Sequence, residues 1–209
     1  MPDPAPARTV YLPPYQLRHD LLPAALADEL LAFAIARESR FVPSEVNRPH
    51  GVEFDPTWRI SLMLPELGSI KDVLKAHVMP LAPELTAALG MEPFEPVRAE
   101  LSLVAHGDGA FLTRHIDFLR ARTDMPTRRL LSGVYYLHAR PKGFSGGALR
   151  LHQLMARGPE AQFIDIEPRH NSMLFFPSFM PHEVRPVAVP SGRFAESRFA
   201  INFWIHGAR

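Results

Sequence analysis

The sequence predicts a mainly β protein with helices near its N-terminus, an α+β chain whose strands close into a sandwich or jelly roll. Three observations support this. The 22 prolines are spread along 209 residues, which favours short strands and turns over long helices. From residue 97 on, about eight short apolar runs alternate with turn signals. Ahead of them stand two stretches of helical apolar period.

Residues 1–8 are expected to form a short flexible tail, since they carry neither the basic nor the apolar region of a signal peptide. Residues 9–97 are read as helical support with the opening strands, and residues 98–207 as the jelly-roll core. Residues 9–18 read as a strand. Residues 21–37 read as a helix through Leu22, Leu26, Leu30, Phe33 and Ile35, with Pro23 in its first turn. Residues 43–57, broken by Pro and Gly, read as a loop or a loosely held hairpin. Residues 58–64 return to strand. Residues 70–89 form a second helical region, interrupted by Pro80 and Pro83.

The later strands are expected at 98–105, 111–117, 130–138, 148–151, 163–166, 173–176, 183–187 and 199–206. His106 falls in a Gly-rich turn, and residues 118–129 form a loop bearing Arg120, Arg122, Arg128 and Arg129. In the closing strand Phe199, Ile201, Phe203 and Ile205 share one face, which can pack under the helices. The opposite face turns Arg198, Ala200, Asn202 and Trp204 inward. A buried arginine needs an anionic partner, and a bound anion is a candidate.

Bulk composition narrows the chemistry. A formal net charge of +1 points to neither nucleic acid nor a membrane surface, and no apolar run reaches a membrane span of about 20 residues. Absence of cysteine excludes disulfides, thiolate nucleophiles and Cys-based zinc sites, and suits a cytoplasmic setting. Any metal must take nitrogen and oxygen ligands. Along a strand His115 and Asp117 would project from the same face. With the distant His182 they make two imidazoles and one carboxylate, the donor set of an Fe(II) facial triad. His19, His50, His77, His152 and His170 are read as ordinary surface or core residues. No serine, histidine and acid arrangement presents a hydrolase motif.

Five motifs in order resemble the iron- and 2-oxoglutarate-dependent dioxygenases, in their prolyl 4-hydroxylase-like branch. They are Arg114-His115-Ile116-Asp117, Val134-Tyr135-Tyr136-Leu137, Ser145-Gly146-Gly147-Ala148-Leu149-Arg150, Pro181-His182-Glu183-Val184, and Arg198-Phe199-Ala200-Ile201-Asn202-Phe203-Trp204. The resemblance covers roughly residues 98–207 and implies a double-stranded β-helix, the cupin-like form of jelly roll. It implies Fe(II) on His115, Asp117 and His182, with 2-oxoglutarate and dioxygen, and it admits ascorbate as a reductant. Arg198 would anchor the far carboxylate of 2-oxoglutarate, in preference to Arg193, with Tyr136 beside it and Tyr135 pointing out of the barrel. Trp204, Asn202 and Val184 would line the substrate pocket, and Arg120 or Arg122, on the loop that leaves directly from Asp117, would meet an acidic group of the substrate. The implied reaction hydroxylates an unactivated C–H bond and releases succinate and carbon dioxide. A prolyl residue in a peptide or protein is the expected substrate. A free amino acid or other small molecule is the alternative, and a non-catalytic metal-binding jelly roll a second one. His106 departs from the family, whose members often carry tyrosine there on the near side of the cosubstrate pocket; it reads as a turn residue or as a hydrogen-bonding substitute.

Overall fold

The computed structural model describes residues 12–48, 51–118, 126–154 and 162–208. β1 (Gln16–His19) leads into α1 (Ala24–Ile35) and β2 (Val42–Pro43), then a small hairpin of β3 (Val46–Arg48) and β4 (Gly51–Glu53). β5 (Arg59–Ile60) and β6 (Leu62–Leu64) precede α2 (Ile70–Val78) and α3 (Ala82–Ala88). The remaining strands are β7 (Arg98–His106), β8 (Phe111–His115), β9 (Thr127–Leu137), β10 (Ser145–Gly146), β11 (Leu149–His152) and β12 (Phe163–Ile166). β13 (Ser172–Pro177), β14 (His182–Val184), β15 (Val187–Ala188) and β16 (Arg198–Ala208) complete the order.

Two antiparallel sheets face each other. The major sheet runs β1-β13-β9-β16-β7-β6-β2 and the minor sheet β12-β11-β14-β8-β5. Phe199, Ile201, Phe203 and Ile205 lie on the convex face of the major sheet. They pack with Leu30, Leu74, Val78 and Leu85 of the helices, as their alternation in the sequence indicates. On the concave side Val134, Tyr136, Leu174, Phe176 and Ala200 meet Leu149 and Leu151 of the minor sheet. A mainly β jelly roll backed by N-terminal helices is thus the observed fold.

Several elements differ in detail. The α1 stripe that is fully buried is Ala27, Leu30 and Ala34, while Leu26, Phe33 and Ile35 flank it half-buried. Small alanines let the helix lie close to the sheet. The second helical region breaks into α2 and α3 at Met79-Pro80-Leu81, where proline removes a helix donor. The strand expected over residues 58–64 splits at Ser61. β5 pairs with β8 in the minor sheet, and β6 with β7 in the major one. Ser61 marks the crossing: its hydroxyl accepts Arg59 Nε–H at 2.7 Å and donates to Ser44 Oγ at 2.9 Å. Arg128 and Arg129 belong to β9 and not to a loop. Arg120 and Arg122, the tail 1–8 and His50 lie outside the described residues.

The edge of the helical layer is fastened by histidines. His170 donates its main-chain N–H to His138 Nε2 at 2.9 Å, and His138 donates its own to His170 Nδ1 at 3.2 Å. Both acceptor nitrogens must be unprotonated. Burial lowers both pKa values, so the unfolded chain takes up protons more readily than the folded one. The stabilisation is complete above the unfolded histidine pKa of about 6.5 and is lost as pH falls below it. The urea midpoint should therefore drop between about pH 7.5 and about pH 5. His138→Gln with His170→Gln should lower the midpoint at the higher pH and flatten its pH dependence. An unchanged slope would remove this pair from the explanation.

Candidate active site

His115 ends β8 and His182 begins β14, and the two strands pair with these residues directly opposite. Their rings stand 4.2 Å apart, centroid to centroid. Each imidazole is oriented the same way. His115 Nδ1–H donates to Thr113 O at 2.8 Å, and His182 Nδ1–H donates to Met180 O at 2.9 Å. A carbonyl on Nδ1 fixes the tautomer and leaves the Nε2 lone pair free for a metal. Burial and the neighbouring His115 push the His182 pKa down to about 4, so its ring is neutral at ordinary pH.

Asp117 reaches the same point by another route. β8 stops at His115, so strand alternation does not place the carboxylate. Instead the Asp117 and Phe118 main-chain N–H groups both donate to Ser178 O at 3.0 Å. The buried Ser132 hydroxyl donates to Asp117 Oδ2 at 2.7 Å and accepts from Ser178 Oγ at 2.8 Å. Asp117 Oδ1 lies 3.7 Å from His115 Nε2, and Oδ2 lies 3.6 Å from His182 Nε2. The three residues offer ligand atoms that all fall within 4.8 Å of one another. Burial opposes ionisation of Asp117, but His182, His115 and Ser132 outweigh it and hold the carboxyl well below the usual range. Two imidazoles and one carboxylate are a donor set that fits a facial Fe(II) site.

Above this cluster opens a cavity of about 460 Å³. Trp58, Arg59, Ser102, Asn202, Trp204 and Val184 line it, with His106 and Arg198 at its base. Arg198 is 1% exposed. Its Nε–H donates to Gly147 O at 2.7 Å and its Nη1–H to His106 Nδ1 at 3.2 Å, while Nη2 has no hydrogen-bond partner among the described residues. Tyr136 lies behind it, ring centroid 5.0 Å from Arg198 Cζ, with an unpartnered buried hydroxyl whose pKa burial pushes up to about 12. A buried cation with a free donor of its own and a hydroxyl beside it fits a carboxylate. Tyr135 points the other way, into the helical layer, and donates to Asn171 Oδ1 at 2.7 Å. Arg193 is exposed and pairs with Glu196.

The structure adds residues to those read from the sequence. His106 is not a turn residue. It closes β7, buried, opposite Arg198. Ser132 was detectable, since it shares the inward face of β9 with Val134 and Tyr136. Arg129 Cζ sits 3.9 Å above the Trp204 ring, and its Nε–H and Nη2–H fork onto Glu100 Oε2 at 2.9 and 2.5 Å. Arg59 lines the cavity with its pKa lowered to about 10 by burial, against the opposing pull of Asp117.

The fold and donor set define a class, which sequence comparison supports. The profile described as the 2OG-Fe(II) oxygenase superfamily matches residues 101–206, and the chain belongs to that family. Within that family its structural neighbours include prolyl hydroxylases. It is 36% identical over 144 residues to an uncharacterized PKHD-type hydroxylase of Synechocystis sp., a match covering 67% of this chain and 46% of that protein. The chain thus spans about half the length of that relative. The crystal structure of a Pseudomonas putida prolyl-4-hydroxylase is similar at 25% identity and a TM-score of 0.66, over 93% of this chain and 92% of that one. A Trichoplax adhaerens prolyl hydroxylase, solved with a hypoxia inducible factor oxygen degradation domain peptide fragment, shares the fold at 20% identity and a TM-score of 0.65, over 93% and 84%. Such neighbours have the double-stranded β-helix. Among the described residues no helix is long and apolar enough to cross a membrane.

Gly147 gives a direct test of how the base of the cavity is built. It has φ +71°, and an added Cβ would stand 2.7 Å from Arg198 Cδ. Gly147→Ala should cost about 1–2 kcal/mol from backbone strain, read as a lower denaturant midpoint, and should displace the guanidinium in a crystal structure. A variant of wild-type stability with Arg198 unmoved would show that this contact does not set the arginine's position.

Proposed function

We propose that the protein uses Fe(II), 2-oxoglutarate and dioxygen to hydroxylate a prolyl residue in a peptide or protein, with release of succinate and carbon dioxide. The observation that carries this reading is the convergence of His115, Asp117 and His182 beside a buried Arg198 with an unpartnered Nη2. The three side chains would hold the iron, which when bound supplies the oxidising chemistry for an unactivated C–H bond. Arg198 and Tyr136 would hold the far carboxylate of 2-oxoglutarate, as a fork and a single donor. Ascorbate is the proposed reductant that keeps the iron ferrous. His115 and His182 both turn Nε2 toward the metal position, because Nδ1 of each is held by a carbonyl.

The prolyl reading rests on the prolyl hydroxylase neighbours, and an extended substrate has support in the surface next to the site. The cavity shares Ile116 and Arg129 with an apolar groove lined by Met91, Phe94, Phe118 and Phe179. A free amino acid would leave that groove unused. Trp204, stacked under Arg129, and Asn202 and Val184 would bound the substrate side of the cavity.

Two measurements test the reading. Succinate release should be seen with members of a proline-peptide library and should vanish in His115→Ala and in Asp117→Ala. Arg198→Ala should weaken 2-oxoglutarate about ten- to a hundredfold, the loss of a charge-assisted contact, whereas Arg193→Ala should leave it unchanged. Equal effects at the two arginines would refute the anchor. Turnover with free proline and none with any peptide would favour the small-molecule alternative.

A further inference from the structure

His106 is buried at the base of the cavity, 3% exposed, and its two ring nitrogens are in different states. Nδ1 lies 3.2 Å from Arg198 Nη1. A guanidinium only donates, so Nδ1 is the acceptor and cannot carry the proton. The proton of a neutral ring then sits on Nε2, which is buried and has no partner. A second proton on this ring would face Arg198 at contact distance. Burial and the charges of Arg198 and Arg59 hold its pKa well below the ordinary histidine value.

The sheet register places this donor. His106 stands directly opposite Arg198 across β7 and β16, and Tyr136 stands opposite Ala200 across β16 and β9. By alternation all three side chains project from the concave face. Among the described residues that face carries three buried polar atoms that complete no hydrogen bond: Arg198 Nη2, Tyr136 Oη, which feels the pull of Arg198, and His106 Nε2. One bare donor is a packing defect of about 1–3 kcal/mol. A free guanidinium donor with a hydroxyl and an imidazole beside it describes a cradle for an anion with several acceptor lone pairs.

We propose that His106 is a 2-oxoglutarate-binding residue, a neutral Nε2–H donor to a carboxylate of the cosubstrate, locked in that tautomer by Arg198. The arginine then acts twice, through its own Nη2 and by orienting the histidine. This rests on the cosubstrate reading above and extends it to the residue at which the chain departs from its family.

The substitutions that test it follow from the bonding pattern. A glutamine can accept from Arg198 through Oε1 and donate through Nε2, reproducing both functions of the ring. A leucine can do neither. With Zn²⁺ in place of iron, 2-oxoglutarate binding by titration calorimetry should weaken about ten- to a hundredfold in His106→Leu. In His106→Gln it should stay within about threefold of wild type, a shift worth less than one tenfold step. The wild-type protein itself gives a readout independent of any variant. In ¹⁵N NMR, with His106 assigned from the His106→Gln spectrum, Nδ1 should be unprotonated and Nε2 protonated, and the Nε2–H resonance should move when 2-oxoglutarate is added. Protonated Nδ1, an unmoved Nε2–H, or wild-type affinity in His106→Leu would each overturn the proposal while leaving the cosubstrate reading intact. If the wild-type protein binds no 2-oxoglutarate at all, both fall together.

Discussion

The arrangement of the barrel's interior depends on one buried guanidinium. A cation with 1% exposure is far from water, and the described structure gives Arg198 only two hydrogen bonds, to a carbonyl oxygen and an imidazole nitrogen. Neither acceptor carries charge. Burial without a counterion is unfavourable, and it lowers the pKa of Arg198 itself. Much of the local sequence accommodates that charge. Gly147 lacks a Cβ where the arginine stem passes, and Gly146 has φ +68° where a side chain would collide with the Pro186 carbonyl oxygen. His106 is kept neutral. The opposite face of the same strand carries Phe199 and Ile201 into the helical core, which fixes the direction in which Arg198 points.

The metal cluster follows a second economy of means. Each histidine is held by the carbonyl two residues before it, Thr113 within β8 and Met180 in the bend ahead of β14. The carboxylate needs more, because it stands beyond the strand end. Ser178 grips its backbone and Ser132 its side chain, and the two serines bond each other. Hydrogen bonds around a ligand commonly contribute about ten- to a hundredfold in metal affinity. Two short strands and one anchored turn thus bring together residues that are 67 positions apart at most, His115 to His182.

Legibility in the sequence followed how local each cause was. The closing strand could be read completely, because alternation alone separates Phe199, Ile201 and Phe203 from Arg198, Asn202 and Trp204. The His115 and Asp117 pairing was found for a partly mistaken reason. The strand stops short, and Ser178, 61 residues later, does the placing. Ser61 could not be seen as a crossing point, since its role depends on which strand lies beside each half. Arg129 was assigned to a loop because the pull that keeps it in a strand comes from Glu100, 29 residues earlier, and from Trp204. For His106 the sequence leaves a turn residue and a hydrogen-bonding residue both open, and only the register with Arg198 shows that its ring faces inward.

The central claim is that His115, Asp117, His182 and Arg198 act as one site for a metal and a dicarboxylate. A crystal structure with Zn²⁺ and 2-oxoglutarate tests it most directly. The expected result is a zinc at about 2.0–2.2 Å from His115 Nε2, His182 Nε2 and one Asp117 oxygen, with the far carboxylate of 2-oxoglutarate on Arg198 Nη2. A metal bound elsewhere, or a dicarboxylate seated away from Arg198, would contradict it.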